Sequence, residues 1–387
     1  MAKLGDVFPL VRNGASIRQT DGATGIPITR IETISNREID RNKFGYANII
    51  DGSKYKDYIL QDGDILMSHI NSEKHLGKVA LYRKQGNEQI IHGMNLLMLR
   101  ANPSVLFPPY ATYFFETPAF LMQIQKITKK SVNQASFTVT ALKEIEIPLP
   151  PLDEQRRIAA VLDKVSGLIA KRREQLDKLD KLVKARFVEM FGGINDSKLY
   201  PYVPIDNFTT VVSGGTPDRG NIEYWQGGTI RWVKTTELQN NVINDTDEKI
   251  TQLGLENSSA KIVPAHSIVV AMYGQGKTRG MTGYLATECS TNQACACILP
   301  SKGVNQRFLW QYMILSYDTL RNMAKGGNQP NLNIGIIKQF PVLMPSLELQ
   351  EIFSKFVEQT DQSKLTIQQS LDKLEVLKKA LMQQYFG

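Results

Sequence analysis

The chain has 387 residues, 42% hydrophobic and 22% charged, an ordinary globular composition with room for two or three separate cores. No apolar run approaches the ~20 residues of a membrane span, the opening MAKLGDVF has no signal-peptide pattern, and the three cysteines lie within 289–297, so a reducing cytoplasm without disulfides is expected. A net charge of +8 favours a polyanionic partner.

Residues 1–147 alternate short apolar runs with Gly, Asn and Asp turns. Gly25-Ile26-Pro27-Ile28-Thr29-Arg30-Ile31, Asp64-Ile65-Leu66-Met67 and Val79-Ala80-Leu81-Tyr82 read as strands. The polar stretch Ser68-His69-Ile70-Asn71-Ser72-Glu73-Lys74 follows one of them and reads as a loop. An aromatic, helix-like stretch covers 110–127. Its entry, Phe107-Pro108-Pro109-Tyr110, mimics the adenine-methyltransferase tetrapeptide, but Phe107 stands where an Asn or Asp would have to accept the adenine amino proton. No Gly-rich cofactor loop accompanies it.

Pro148-Leu149-Pro150-Pro151 blocks helix and marks a boundary, and Asp153 is placed to cap the helix beyond it. Ile158, Leu162, Val165, Ile169, Leu176, Leu179, Val183 and Met190 then keep a four-three alternation, interrupted by Arg172 and Arg186. That 3.5-residue period is a coiled-coil seam, because it holds one apolar stripe toward a partner helix. Phe191-Gly192 ends it, with Gly192 expected as a left-handed cap.

Residues 193–342 return to short runs: Thr229-Ile230-Arg231-Trp232-Val233, Ser267-Ile268-Val269-Val270-Ala271-Met272 and Ala294-Cys295-Ala296-Cys297-Ile298-Leu299, then a helix-like stretch over 308–323. Gly274-Gln275-Gly276-Lys277-Thr278 ends like a phosphate-binding loop, but Ala271 occupies the position of its first glycine. It reads instead as a donor-rich loop after a strand, with Lys277 and Arg279 toward phosphates and Gln275 toward a base edge. Asp218 with Asp247-Glu248-Lys249 resembles a metal-dependent nuclease only superficially. Cys289, Cys295 and Cys297 lack zinc spacing, and the last two alternate along an apolar strand as small core residues.

Residues 343–387 repeat the first helical segment. Segments 133–192 and 328–387 align without a gap at a constant offset of 195, from Asn133-Gln134 and Asn328-Gln329 to Phe191-Gly192 and Phe386-Gly387. Phe353, Val357, Thr360, Ile367, Leu371, Leu374, Leu381 and Tyr385 occupy the seam, Lys364 and Lys378 interrupt it, and Ser346 and Gly387 stand as the caps. The helices are repeated closely and the intervening modules loosely. We therefore expect a mixed α/β (α+β) protein: modules at 1–147 and 193–342, helices at 148–192 and 343–387, and an antiparallel coiled coil giving a pseudo-twofold object. Some 35 helical residues would span about 50 Å, more than one DNA turn of ~34 Å.

Pro150-Pro151-Leu152-Asp153-Glu154-Gln155-Arg156-Arg157-Ile158, the heptad helix and its second copy together resemble the specificity subunit of type I restriction–modification enzymes, along the whole chain. The resemblance implies a non-catalytic protein whose two target recognition domains each read half of a bipartite double-stranded DNA site, the helices setting the gap. It implies two modification subunits carrying S-adenosylmethionine, and restriction subunits adding ATP-driven, magnesium-dependent translocation and cleavage, with no cofactor or metal on this chain and no membrane partner. Arg30, Ser68, His69, Asn71, Lys74 and Lys78 are candidates for one half-site, and Lys234, Thr235, Tyr273, Gln275, Lys277 and Arg279 for the other. Asp153, Glu154, Gln155, Arg156 and Gln350 are candidates for subunit docking. In the second copy Leu349, Glu351 and Ile352 replace Glu154, Arg156 and Arg157, so equal docking is not carried over. A self-contained methyltransferase or nuclease, and a coiled-coil scaffold that binds only proteins, are the competing readings.

Overall fold

The computed structural model describes residues 1–387 except 21, 36, 132–133, 275 and 325–330, so Gln275 and the Asn133 and Asn328-Gln329 starts of the repeat lie outside the described residues. Two compact units divide the chain, Met1–Arg173 with Gln369–Gly387, and Glu174–Gln368. The division falls inside two 40-residue helices, a central one at Leu152–Phe191 and a distal one at Leu347–Phe386. Among the described residues no helix is long and apolar enough to cross a membrane.

In the first unit, the sheet order is Leu10–Asn13, Leu96–Arg100, Ile65–Ser68, Val79–Leu81, Arg37–Ile39, Ile34–Ser35. Ile65–Ser68 runs antiparallel to both neighbours, with Ile65 opposite Leu81 on one side and Leu99 on the other. Arg37–Ile39 pairs parallel with the outer edge of that hairpin. The second unit repeats this order with Val211–Ser213, Cys295–Ile298, Ile268–Ala271, Thr282–Leu285 and Asn241–Ile243, the last again parallel. Strand pairs Ala2–Lys3 with Glu146–Ile147, and Tyr202–Pro204 with Pro341–Leu343, deliver the chain to the prolines before each long helix. The modules therefore share a topology that their side chains conceal. Both central strands are buried along their whole length, which is why each reads as a continuous apolar run and not an alternation.

The segment at 25–31 departs from expectation. It makes isolated bridges, Gly25 to Ile49 and Ile28 to Gly45 and Ile91, and turns at Arg30 into a short 3-10 helix. The stretches 110–127 and 308–323 are each broken into two helices, Pro108–Phe114 with Pro118–Ile127 and Gln306–Leu315 with Tyr317–Asn322. In the first, the Thr117 hydroxyl caps the new helix at Phe120 N–H, 3.1 Å away, and Pro118 suits its first turn.

Helix entry also differs between the copies. Asp153 is not a cap: the central helix begins at Leu152, and Asp153 is an exposed first-turn acid that favours the positive end of the helix dipole. Ser346 does cap, accepting from Leu349 N–H at 3.4 Å. At the other end Gly192 has φ 79°, whereas Gly387 donates to Gln383 without entering the left-handed region.

Within the first unit the early central helix lies antiparallel to the late distal helix: Arg157 faces Tyr385, and Arg173 meets Glu375 at 2.6 Å. Within the second, Asp180 meets Lys364 at 2.6 Å and Phe187 packs on Phe353. The expected seam residues Ile158, Leu162, Val165, Ile169 and Val183 are buried, as are Phe353, Val357, Thr360 and Leu371. Phe386 enters the first core against Tyr110 and Phe114, and Phe191 enters the second against Phe308 and Phe353. Phe386→Ala should therefore cost the first unit about 3 kcal/mol. Limited proteolysis should then cut first within residues 1–147 and leave 193–342 protected.

Candidate nucleic-acid interface

In each unit the central hairpin carries some of the candidate residues at its tip. In the first, Ser68, Asn71 and Lys78 come together around a cleft of about 310 Å³ that Glu32, Ile34 and His75 also line. Asn71 donates to the Ser68 hydroxyl at 3.3 Å and its carbonyl oxygen accepts from Ser72 N–H at 2.7 Å, so the amide is oriented. The Lys78 ammonium lies 2.7 Å from His75 Nδ1. Lys78 and Lys74, after burial, are the causes that hold the His75 pKa below its usual value. Lys74 is exposed on the 3-10 turn Glu73–His75 and lines an adjoining cleft of about 510 Å³.

Two of the six candidates in this unit sit elsewhere. Arg30 donates its Nε–H to Gln19 and its backbone N–H to the Thr33 hydroxyl, which ties it to the turn at 31–33. His69 is buried, edge-on to Phe137 at 6.2 Å, and its Nδ1 has no partner among the described residues. Burial lowers its pKa to about 4, so it is a neutral core side chain at neutral pH. His75 and Glu32 also line the cleft: Glu32 comes from a separate segment, the 3-10 turn Ile31–Thr33, while His75 sits on the hairpin itself between Lys74 and Lys78.

In the second unit the corresponding loop joins Ile268–Ala271 to Thr282–Leu285. Tyr273 and Lys277 are exposed on it. Its backbone is held from outside the hairpin: Tyr317 donates to the Lys277 carbonyl at 2.6 Å, and Arg321 donates to the carbonyls of Gly276 at 2.9 Å and Arg279 at 2.8 Å. Lys234 and Thr235 lie on a different sheet, just past the end of its middle strand Ile230–Val233. The Lys234 ammonium is engaged by Glu248 at 2.8 Å, which raises its pKa and lowers that of Glu248. Arg219 also pairs with Glu248 while lying over Trp225, so Glu248 belongs to a salt-bridged cluster.

The docking candidates divide by exposure. Asp153, Glu154 and Arg156 face outward, with Glu154 pairing with Arg157. Gln155 and Gln350 do not belong with them: both are buried and their amides are used internally. Gln155 accepts from Phe107 N–H at 2.8 Å and donates to the carbonyls of Val105 at 2.9 Å and Pro150 at 2.8 Å. Gln350 accepts from Asn305 N–H at 2.8 Å and donates to the Pro345 carbonyl at 2.9 Å. Each glutamine locks a long helix to the start of its unit's aromatic helix. The Phe107-Pro108-Pro109-Tyr110 stretch is thus a helix entry, with Tyr110 buried and donating to Pro148. Cys289, Cys295 and Cys297 are buried free thiols, and burial pushes Cys289 to about 11 and Cys297 to about 12.

Residues 1–180 and 199–378 match the family model described as the type I restriction modification DNA specificity domain. The chain is 42% identical over 189 residues to the putative type I restriction enzyme MjaX specificity subunit of Methanocaldococcus jannaschii, a match covering 49% of this chain and 44% of that one. It is 24% identical over 227 residues to the EcoR124I/EcoR124II specificity subunit of Escherichia coli, covering 55% of each. These matches span about half the length of those curated relatives. In fold it is similar to the crystal structure of the S subunit of a type I restriction–modification system from M. genitalium, with a TM-score of 0.64 at 14% identity, covering 100% of this chain and 95% of that one.

Gln155→Leu should strand one N–H and two carbonyls at a buried site, at ~1–3 kcal/mol for each unsatisfied group. A loss of about 3 kcal/mol or more in denaturant unfolding is expected, with Asp153→Ala near wild type. His92 is also buried, with its pKa lowered to about 4 by burial. In the unfolded chain both His69 and His92 bind a proton near 6.5, so the unfolded state holds more protons between pH 6.5 and about 4. The first unit should be fully stabilised above pH 6.5 and lose stability as pH falls through that window. Denaturation midpoints against pH should flatten in His69→Gln and His92→Gln.

Proposed function

We propose that this chain, which belongs to the type I restriction modification DNA specificity domain family, is the sequence-reading subunit of a type I restriction–modification complex. Each recognition domain reads one half of a bipartite double-stranded DNA target, and the paired helices set the unread gap. The observation that carries this reading is one strand order built twice, with unlike hairpin tips, beside two 40-residue helices that align without a gap at an offset of 195. A common scaffold presents different readers.

Lys74, Lys78, Lys277 and Arg279 serve phosphates, while Asn71, Ser68 and Tyr273 are offered to base edges. Lys234 is less available, since a phosphate would have to compete with Glu248. Asp153, Glu154 and Arg156 offer a polar docking patch to a modification subunit. The chain itself is non-catalytic in this reading. Methyl transfer from S-adenosylmethionine belongs to two modification subunits, and ATP- and magnesium-dependent translocation and cleavage to restriction subunits.

The complex of this chain with modification subunits should bind DNA with sequence preference and strong salt dependence. Mapping methylated adenines should give a bipartite site, and replacing 193–342 with another recognition domain should change one half of it only. Alteration of both halves would refute independent reading. Binding without sequence preference would favour a protein scaffold, and methylation or cutting by the chain alone would favour an enzyme.

A further inference from the structure

We infer that Tyr317 and Arg321 are specificity-positioning residues for the second recognition domain, acting on the loop at 276–280 without themselves touching DNA. The inference rests on the DNA-reading role proposed above.

The two residues are one helical turn apart on Tyr317–Asn322, so their side chains share a face. Leu320, between them, is fully buried in the second core and fixes the helix against it. From that anchored face three hydrogen bonds reach three backbone carbonyls of the loop, those of Gly276, Lys277 and Arg279. Arg321 also donates to the Tyr317 hydroxyl at 2.9 Å, so the two act as one unit. A guanidinium suits this task because its donors form a rigid planar fork, which a lysine ammonium cannot reproduce.

The loop is shaped to receive them. Gly276 and Gly280 have φ of 60° and 85°. At φ 85° a side chain on Gly280 would be strained, and its Cβ would press to 3.1 Å from Arg321 Cγ, so glycine suits the loop's close approach to this face. Gly280 N–H donates to Ala271 and Met281 N–H to Thr278, which closes the hairpin behind the held segment. Lys277 is therefore an exposed side chain carried on a backbone whose carbonyls are fastened. A hairpin tip this rich in glycine would otherwise sample many conformations. Removing the fastening should spread Lys277 and its neighbours over several geometries. Phosphate attraction tolerates such spread and base readout does not.

The test uses the complex with modification subunits and a randomised duplex library. Tyr317→Phe, Arg321→Lys and Arg321→Ala should each relax the half-site assigned to residues 193–342, with the two Arg321 variants losing about tenfold or more in discrimination. The other half-site should be unchanged, and the slope of binding against salt should stay at the wild-type value. Lys277→Ala should instead weaken all sequences alike and lower that slope by about 0.9. Tyr317→Phe keeps the ring and removes only the hydroxyl, so it reports on positioning even if an Arg321 variant folds poorly. Unchanged discrimination in all three variants would overturn the inference, and so would a slope change of about 0.9 in Arg321→Ala, which would mean a direct phosphate contact. A wild-type complex without sequence preference would sink the reading beneath it and this role with it.

Discussion

An apolar seam along a 40-residue helix must be covered over its whole length, and neither long helix can cover its own. In each unit the cover comes from half of the other helix and from the aromatic helices of the recognition domain. Phe187, Phe191 and Phe353 interlock with Phe308 and Tyr312 in the second unit, and Ile158, Leu162 and Phe386 join Tyr110 and Phe114 in the first. The helices are thus core for both domains, which explains why an apolar seam and a closing Phe recur in both copies. A change on the seam is felt at once as lost packing, whereas a change at a hairpin tip is not.

Gln155 and Gln350 add direction to this packing. Hydrophobic burial fixes that two surfaces meet but tolerates sliding and rotation; a buried amide with two or three backbone partners does not. Both glutamines donate to the carbonyl five residues earlier, in the proline segment, and both accept an N–H at the start of the aromatic helix. The proline segment, the long helix and the recognition domain are therefore joined at one point in each copy. Exposed ion pairs such as Arg173–Glu375 add little by comparison, since both partners stay in water.

Legibility in the sequence tracks the range of the interactions involved. The long helices can be read because a 3.5-residue period is local and repeats many times. The central strands at 65–68 and 268–271 can be read because they are buried throughout and so are continuous apolar runs, whereas Thr282–Leu285, with a Gly and a Thr, does not stand out. The segment 25–31 reads as a strand, yet its β-branched residues make single bridges and no ladder. Asp153 reads as a cap, yet the helix begins one residue before it. The site is less legible. Asn71, Ser68 and Lys78 share a cleft with Glu32 and His75, and the loop at 276–280 is held by residues about 40 positions further on. A glutamine in the first turn of an amphipathic helix looks like surface, and only the surrounding fold shows that it is not.

The two hairpin tips show how one scaffold can carry different readers. In the first domain the tip is stiffened mainly by its own residues, by a 3-10 turn at Glu73–His75 and by Asn71 bonding to Ser68 and Ser72, with a short ladder to Ala135–Ser136 added from outside. In the second it is loosened by glycine and stiffened again from a neighbouring helix through Tyr317 and Arg321. The strands beneath are the same in order and direction, so they decide where a tip emerges and leave its shape to local partners. A reader can then be altered by changing the tip together with the few side chains that hold it. The buried strands, the glutamine locks and the helical seam, which bear the folding energy, need not change.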